Sequence, residues 1–281
     1  TRFSREVKLA AEQVIPRIGS AVCRPRFLTQ EIMDEGDVAA ALRRIAKRGS
    51  HGVCIKARDL PAIRAAVDQL IASGIPVITL VTDLNTTKRL AYVGLDNRSA
   101  GRTAAYLIAR TIGDGDGDGT VLTSRSNDRF LGEEEREVAF KETLVRLCPS
   151  LRIIDASGGS GVHGKTSRIM QSVIAGLDEV RAVYSMGGGN TAILNALDQN
   201  ASLPDIYVAH DLDDDNRRLI EDGRLSFVLH HDLREDLLNV FQAFLHHHKL
   251  MVMPVYTSVS HIQVVTPENI PPFKRRFQKW T

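Results

Sequence analysis

Hydrophobic residues along the chain follow two alternating patterns. Short apolar runs rich in β-branched residues predict strands, and longer segments with apolar residues every three or four positions predict helices. The predicted strands are 19–23, 51–55, 75–81, 91–94, 119–123, 151–155, 181–185, 205–209, 225–229 and 261–265. The predicted helices are 3–14, 36–48, 60–73, 98–112, 132–147, 162–177, 190–199, 212–222 and 233–248.

This alternation of strands and helices predicts an α/β fold. Strands such as IPVITLV at 75–81 are apolar at nearly every position, which is typical of parallel strands covered by helices on both faces. Ten such strands are many for one twisted open sheet. We therefore expect two doubly wound parallel-sheet lobes, for which a chain of 281 residues is long enough.

Bulk composition is that of an ordinary globular protein, with 43% hydrophobic and 25% charged residues. No apolar run approaches the length that crosses a bilayer, and the opening TRFSREVKLAAEQV is unlike a signal peptide.

The net charge of +2 argues neither for nor against a nucleic-acid surface. Three widely spaced cysteines match no zinc or disulfide pattern, so we expect reduced thiols in a cytoplasmic protein.

Three runs resemble metal sites, but their geometry argues against metal. The GDGDGDG run at 113–119 has calcium-loop spacing, yet the required glutamate at the twelfth position is Arg125. Consecutive histidines at 246–248 lie in a predicted helix and point in different directions. Neighbouring His230 and His231 on an extended segment point to opposite sides. The sequence therefore predicts no metal and no cofactor.

Polar residues follow most of the predicted strands. Ligands of open parallel sheets bind beyond the carboxyl ends of the strands, so these residues are expected to line one crevice. Their guanidinium, carboxylate, amide and imidazole groups suit a ring that bears several hydroxyls. No GxSxG, Walker or HExxH pattern occurs, and a non-enzymatic binding role is predicted. The residues are Lys56, Arg58, Asp83, Ser124, Arg125, His163, Asn190, Asp211 and His231.

The stretch FLGEEEREVAF at 130–140 contains one anomalous arginine. Arg136 lies one helical turn before Phe140, on the face that is expected to be buried. A buried arginine normally has an anionic or hydroxyl-rich partner, so Arg136 is a candidate ligand contact. The glutamates at 133–135 fall in the first helical turn, where acidic side chains favour the helix dipole and are expected to face water.

Several runs resemble the effector-binding core of lactose-repressor-type (LacI/GalR) transcriptional regulators, and together they span essentially the whole chain. That core is similar in fold to the type I periplasmic sugar-binding proteins. Members of the family carry an N-terminal helix-turn-helix domain and a first core strand, and neither is recognisable here, so we expect a longer product. The runs are GIPVITLVTD, AYVGLDNRSAGRTAAYLIAR, FLGEEEREVAF, MGGGNTAILNAL, HDLREDLL and HIQVVTPENIPPF.

The resemblance implies two lobes joined by three chain crossovers, with the effector bound in the cleft between them. One lobe would comprise residues 1–97 and 232–258, and the other residues 98–231 and 259–281. Asp96 and Asn97 belong to the signature at the first crossover, where they either cap the following helix or contact ligand. The basic tail FKRRFQKW at 273–280 lies away from the place where the family contacts DNA.

The resemblance also assigns roles to single residues. Arg136 would grip the effector from the second lobe, and Asp211 would be the acid that follows the eighth strand. Phe3 matches an aromatic residue that packs on sugar rings. His163 lies in a loop that often supplies an apolar wall, and is either adapted to the ligand or solvated. The remaining candidates, at the family's polar or strand-end positions, are Lys56, Asp83, Ser124, Asn190 and His231.

The function implied by the resemblance is the effector-sensing and dimerising part of a cytoplasmic, DNA-binding regulator. The effector would be a sugar, polyol, sugar acid or sugar phosphate, since cationic residues near the cleft leave room for an anion. Operator DNA would bind through the helix-turn-helix domain of a homodimer. Two alternatives stay open: a secreted sugar-binding protein of a transporter, and a doubly wound enzyme that uses GGGN at 187–190 as a phosphate loop.

Overall fold

Two separate sheets form the framework of the chain in a computed structural model that describes residues 2–19, 21–29, 34–86, 88–113, 119–126, 129–159, 162–252 and 259–272. Most of the 113–119 run and the tail at 273–280 lie outside these residues. The strands are β1 (Val53–Ile55), β2 (Val77–Leu80), β3 (Ala91–Leu95), β4 (Gly119–Ser124), β5 (Leu151–Asp155), β6 (Val180–Ser185), β7 (Ile206–His210), β8 (Phe227–His230), β9 (Val259–Ser260) and β10 (Gln263–Val265).

Helices flank both sheets. Side chains of Asp34, Asp96, Asp213 and Asp232 accept backbone N–H bonds at the starts of four helices, as N-cap residues do. The helices are α1 (Arg2–Val14), α2 (Glu35–Arg48), α3 (Pro61–Ala72), α4 (Asn97–Ile112), α5 (Leu131–Leu147), α6 (His163–Ile174), α7 (Asn190–Gln199), α8 (Asp214–Glu221) and α9 (Leu233–His247). None of the helices in the described ranges is long and apolar enough to cross a membrane.

The first sheet has the order β1-β2-β3-β9, with parallel pairing throughout. The second sheet has the order β10-β8-β7-β6-β4-β5 and is parallel except for β10, which pairs antiparallel with β8. Each sheet is covered on both faces by apolar clusters formed with its helices, namely α1, α2, α3 and α9 for the first sheet and α4 to α8 for the second. The predicted fold of two doubly wound lobes is confirmed.

The chain passes between the two sheets three times among the described residues. It leaves the first sheet after β3, returns to it between β8 and α9, and leaves it again between β9 and β10. Strand β9, at residues 259–260, pairs with β3 in the first sheet, so the last passage falls after residue 260. We call the first sheet with its helices the first lobe and the second sheet with its helices the second lobe. The residue limits of the two lobes that the resemblance implies stay a prediction.

The strand predicted at 19–23 is not formed in the described residues. Residues 21–29 have no ladder partner, and Ala21 and Cys23 pack instead against the apolar cluster of Val14, Ile18 and Leu245. An apolar run becomes a strand only when a neighbouring strand completes its hydrogen bonds, which the residue pattern alone does not reveal.

Helices α4 and α5 approach each other closely because Gly101 has no side chain. A Cβ atom at Gly101 would lie 2.1 Å from the backbone oxygen of Arg136. This close approach fixes the position of the Arg136 backbone next to the first turns of α4.

We expect Gly101→Ala to destabilise the protein by more than about 2 kcal/mol, because neither backbone segment can yield without separating the helices. Gly164→Ala is the matched control, since Gly164 also lies in a helix and a Cβ atom there meets nothing within 4 Å. Its free energy of unfolding should change by less than about 1 kcal/mol. Urea unfolding of both variants measures the difference. Equal effects would contradict the described packing of α4 on α5.

Candidate functional site

Arg136 is a charged side chain buried between polar but uncharged partners. Only 3% of the residue is exposed. Its Nε donates to Asn97 Oδ1 at 2.8 Å, and its Nη1 donates to the backbone oxygen of Met186 at 2.8 Å. No carboxylate oxygen of the described residues lies within 4.0 Å of the guanidinium. Its Nη2 donates no hydrogen bond to a described residue. Burying an unpaired cation is costly, so this geometry leaves donor capacity and positive charge for another partner.

Asn97 connects Arg136 to the first crossover. It is the first residue of α4, and its Nδ2 donates to the hydroxyl of Tyr92 at 3.1 Å. The Tyr92 hydroxyl donates to the backbone oxygen of Leu95 at 2.8 Å. Asp96 caps α4 through the amide of Ser99 at 2.9 Å. Asp96 therefore caps the helix and Asn97 holds Arg136, and contact of either residue with a ligand stays a prediction.

Asp211 lies at the carboxyl end of β7, and its side chain is 46% exposed. Burial raises the pKa of Asp211, but the charges of His231 and Arg136 outweigh it and bring the pKa down to about 2. The nearest of these groups is the Nε2 of His231, which lies 3.7 Å from the carboxylate. The site therefore contains an ionised, accessible acid as well as the buried guanidinium.

Three of the five non-glycine residues with positive φ among the described residues lie where the two lobes face each other. Asp211, Val81 and Arg129 have φ values of 64°, 66° and 69°, in the left-handed region. A β-branched residue such as Val81 is rarely found there, and each such conformation costs roughly 1–3 kcal/mol. Such strain is typical of functional sites and persists only when surrounding contacts hold it.

Besides the Asn97–Tyr92 hydrogen bond, backbone and side-chain contacts between described residues join the lobes directly. The amide of Asp59 donates to the oxygen of Arg129 at 2.7 Å, and the amide of Gly132 donates to the hydroxyl of Thr82 at 3.1 Å. Near the cleft surface, Arg5 Nη2 lies 2.6 Å from a carboxylate oxygen of Asp214. The structure therefore shows the lobes in contact, with the strand ends of both facing the same crevice.

Lys56 contributes a second cation, from the first lobe. Its Nζ lies 3.9 Å from the ring centroid of Phe3 and 5.4 Å from that of Phe130. Burial lowers the pKa of Lys56, and the charges of Asp211 and Glu133 oppose that shift. Phe3 was expected to pack on a sugar ring, but here its face is covered by the Lys56 ammonium. The structure brings both residues to the cleft and pairs them with each other.

Glu133 was expected to face water, and this prediction is wrong. Its carboxylate is half-buried and accepts from the amide of Ser126 at 2.7 Å and from the Ser126 hydroxyl at 2.5 Å. Burial raises its pKa, against the opposing effects of Ser126, Arg136 and Lys56. The spacing held a signal, because residues three apart share a helix face and Glu133 is three residues before Arg136.

Asp83 lies at the end of the first-lobe sheet, but its carboxylate is engaged within that lobe. It accepts from Thr79 Oγ1 at 2.7 Å, from the amide of Leu84 at 2.8 Å and from Arg89 Nη2 at 2.5 Å. Together with Tyr92 and Asn97 it lines a small cavity of about 250 Å³ beside the first crossover. Its oxygens are therefore less available to a ligand than those of Asp211.

Asn190 supports the backbone turn at Asp211 through Asn216. Its Oδ1 accepts from the Tyr207 hydroxyl at 2.9 Å, and its Nδ2 donates to Asn216 Oδ1 at 2.7 Å. Asn216 in turn donates to the backbone oxygens of His210 at 2.9 Å and Asp211 at 2.7 Å. Both ends of the Asn190 amide are thus engaged by protein. Sequence reasoning missed Asn216, which carries no signal beyond its place in an acidic first turn.

Of the remaining candidates, two are buried near Arg136 or Asp211 and one is exposed. Ser124 is buried at the end of β4, where its backbone oxygen accepts from the amide of Met186 at 2.8 Å, and the backbone oxygen of Met186 in turn accepts from Arg136. His231 is buried beside Asp211. His163 is exposed at the start of α6, and its described hydrogen bond is to Asn195 at 3.5 Å, so the structure does not bring it into contact with the other candidates. Contact of any candidate with a ligand stays a prediction.

The chain belongs to the periplasmic binding protein domain family, whose profile matches residues 33–235. It is 25% identical over 196 residues to the ribose import binding protein of Escherichia coli (strain K12), an alignment that covers 68% of this chain and 63% of that protein. The chain thus spans 63% of the length of the curated relatives it matches.

Solved structures share the whole fold. A glucose-galactose binding protein from Geobacillus stearothermophilus has a TM-score of 0.82 at 17% identity, covering 97% of this chain and 95% of that chain. A putative LacI transcriptional regulator from Bacteroides fragilis has a TM-score of 0.80 at 16% identity, covering 95% and 93%. These relatives are named as binding proteins or as a regulator, and not as enzymes, in agreement with the predicted binding role.

We expect Asn216→Ala to reduce the free energy of unfolding by about 2–4 kcal/mol, because it leaves the buried Asn190 amide and two backbone oxygens without a partner. Asn195→Ala is the control, since Asn195 is exposed on the neighbouring helix and should matter little. Chemical unfolding of both variants gives the values. A loss for Asn216→Ala no larger than for Asn195→Ala would contradict its role in holding the Asp211 turn.

Proposed function

We propose that the chain binds a small uncharged sugar or polyol between its two lobes. The observation that carries this proposal is the buried Arg136 guanidinium, held by neutral oxygens and without a carboxylate within 4.0 Å among the described residues. A partner from outside the chain would complete its hydrogen bonding. Support also comes from the family, whose relatives include a ribose import binding protein and a glucose-galactose binding protein.

The chemistry of the cleft suits hydroxyl groups. A guanidinium offers several donors in one plane, and an ionised carboxylate accepts from two hydroxyls at once. Arg136 and Asp211 lie on the second lobe and interact electrostatically. Lys56 adds a donor from the first lobe, with its ammonium over the ring of Phe3 and near that of Phe130. A ring with vicinal hydroxyls, each of which both donates and accepts, matches this mixture.

The charge balance of the site favours a neutral ligand over an anion. Three cationic groups, Arg136, Lys56 and His231, interact with three carboxylates, Asp211, Glu133 and Asp236. When all six groups are ionised their charges cancel. A sugar acid or sugar phosphate would place its negative charge near Asp211 and Glu133, which would cost affinity. An uncharged ligand leaves the balance unchanged.

Ligand binding would favour the arrangement in which the lobes touch. A ligand that contacts Arg136 on one side and Lys56 on the other binds this arrangement better than a separated one, and so shifts the population towards it. The direct contacts Asp59–Arg129 and Thr82–Gly132 would then form together with the ligand contacts. The strained conformation of Arg129 accompanies the first of them.

For the cellular role, we propose a cytoplasmic, homodimeric transcriptional regulator that senses this ligand and changes its affinity for operator DNA through a further, DNA-binding domain. The sequence runs that resemble LacI/GalR regulators across the chain support this role. So does the likeness to the fold of a putative LacI regulator from Bacteroides fragilis. The coupling would arise from different ligand affinities of the DNA-competent and DNA-incompetent states.

A second candidate role is the ligand receptor of a sugar transporter. It is favoured by the similarity to the ribose import binding protein of Escherichia coli, which is 25% identical to this chain over 196 residues. The coding sequence upstream of this chain separates the roles: a helix-turn-helix domain supports the regulator, and a cleavable secretion signal supports the receptor and overturns the regulator.

We expect calorimetric titration to show binding of at least one neutral sugar among D-ribose, D-glucose and D-galactose, and weaker binding of D-gluconate and D-glucose 6-phosphate. Arg136→Ala should weaken the sugar affinity by about 10- to 150-fold, the loss of a charge-assisted hydrogen bond. Arg98→Ala is the control, because Arg98 is an exposed arginine paired with Glu142.

Two results would contradict the proposal. One is unchanged sugar affinity in Arg136→Ala, because that result would mean that the guanidinium does not bind the sugar. The other is tighter binding of the anions than of the neutral sugars, which would overturn the argument from charge balance. If none of the three sugars binds, mass spectrometry of compounds that co-purify with the protein identifies the ligand, and a compound without hydroxyls sinks the proposed class.

A further inference from the structure

Asp236 is a fully buried carboxylate in the first turn of α9, with a relative exposure of 0%. One oxygen, Oδ2, lies 2.5 Å from Nδ1 of His231. The other, Oδ1, accepts from the hydroxyl of Ser260. A buried charge persists only when it is paired and hydrogen-bonded, and these two partners supply both conditions. The proposed function uses Asp236 only in the charge balance of the site and does not use Ser260.

The imidazole of His231 faces a carboxylate at each of its nitrogens. Nδ1 faces Asp236, and Nε2 lies 3.7 Å from Oδ1 of Asp211. A neutral imidazole has one donor nitrogen and one acceptor nitrogen, whereas an imidazolium has two donors. Only the imidazolium is matched to acids on both sides. The ring thus extends from a sealed carboxylate towards the accessible carboxylate of the cleft.

These three residues lie on two of the passages between the lobes. His231 follows β8 directly, and Asp236 is in the helix that begins the return to the first lobe. Ser260 ends β9, after which the chain crosses again to the second lobe. Asp236 therefore contacts both the residue after which the chain enters the first lobe and the residue after which it leaves that lobe.

We infer that Asp236 is a positioning residue that holds His231 as a doubly protonated donor directed at the cleft and, through Ser260, joins the second chain passage to the third. The accessible carboxylate of Asp211 is thereby linked to the chain passages by a series of charged contacts. The link to ligand binding rests on the proposed function, whereas the protonation of His231 does not.

Charged and titratable groups face His231 from several elements. Asp236 on α9 and Asp211 after β7 favour the imidazolium, and Arg136 on α5 opposes it. His210 and His230 lie nearby, and burial lowers the pKa of each of them, so they add little positive charge at neutral pH. For His231 itself burial lowers the pKa, but the hydrogen bond and charge of Asp236 and the charge of Asp211 outweigh burial and raise the pKa above its ordinary value.

The sign of the pH dependence follows from this raised pKa. A histidine whose pKa is higher in the folded protein contributes stability that is fully present below about 6.5, its value in the unfolded chain. That contribution is lost as the pH rises through the folded pKa. The contacts of His231 should therefore stabilise the protein more at pH 6 than at pH 9.

The test is an NMR titration of the histidine ring nitrogens in the full chain without ligand, with His231 assigned from the spectrum of His231→Gln. In the wild type, His231 should stay doubly protonated above pH 6.5, and in Asp236→Asn its pKa should fall by about one unit or more. Asp232→Asn is the matched control, because Asn caps a helix as well as Asp and Asp232 makes its hydrogen bonds to Arg234.

The wild-type spectrum alone can overturn the inference, even if Asp236→Asn does not fold. Titration of His231 at or below its ordinary value would do so, as would an equal pKa change in Asp232→Asn. These outcomes leave the sugar-binding proposal standing, because they are measured without ligand. Conversely, failure of every sugar to bind leaves the His231 result unaffected.

A second measurement separates positioning from mere packing. The melting temperature of Asp236→Asn should fall further below that of the wild type at pH 6 than at pH 9, whereas loss of packing alone would lower it equally at both. Ser260→Ala and Asp236→Asn should lose stability non-additively in a double-mutant cycle, because both act on one carboxylate. Additive losses would overturn the link between the two passages.

Discussion

The desolvation of one guanidinium constrains much of this molecule. Arg136 is buried at the junction of the two lobes, where its charge would be strongly unfavourable without fixed dipoles around it. Asn97 at the first crossover and the backbone oxygen of Met186 supply those dipoles. Gly101 lets the helix that begins with Asn97 approach the backbone of Arg136 closely. Helix packing, crossover geometry and candidate binding chemistry thus meet at a single residue.

Two cations of the cleft make no direct contact with a carboxylate among the described residues. Arg136 and Lys56 have no carboxylate within 4.0 Å among the described residues, while Asp211 lies 3.7 Å from His231. Charges kept apart in this way retain hydrogen-bonding capacity for a third partner. The left-handed backbone at Asp211 and Arg129 is held by the same surroundings. Preorganisation of this kind lowers the entropic cost of binding a small polar molecule.

The sequence allowed the architecture and the central arginine to be predicted, because both depend on local patterns. Alternation of apolar strands and amphipathic helices specifies a doubly wound fold, and a charge that interrupts a buried helix face identifies Arg136. The direction in which each polar side chain points was harder to predict. Asn190 faces inward to Asn216, His163 is exposed, and Glu133 faces the cleft rather than water. Such outcomes depend on partners that are distant in sequence, as does the absence of a strand among the described residues of 19–23.

A crystal structure of the protein bound to the sugar that calorimetry selects would test the central claim most directly. The account predicts electron density for the sugar between the lobes, with one of its hydroxyls within hydrogen-bonding distance of Arg136 Nη2 and another near the Asp211 carboxylate. Density at any other place, with the Arg136 guanidinium untouched or turned towards bulk solvent, would contradict it.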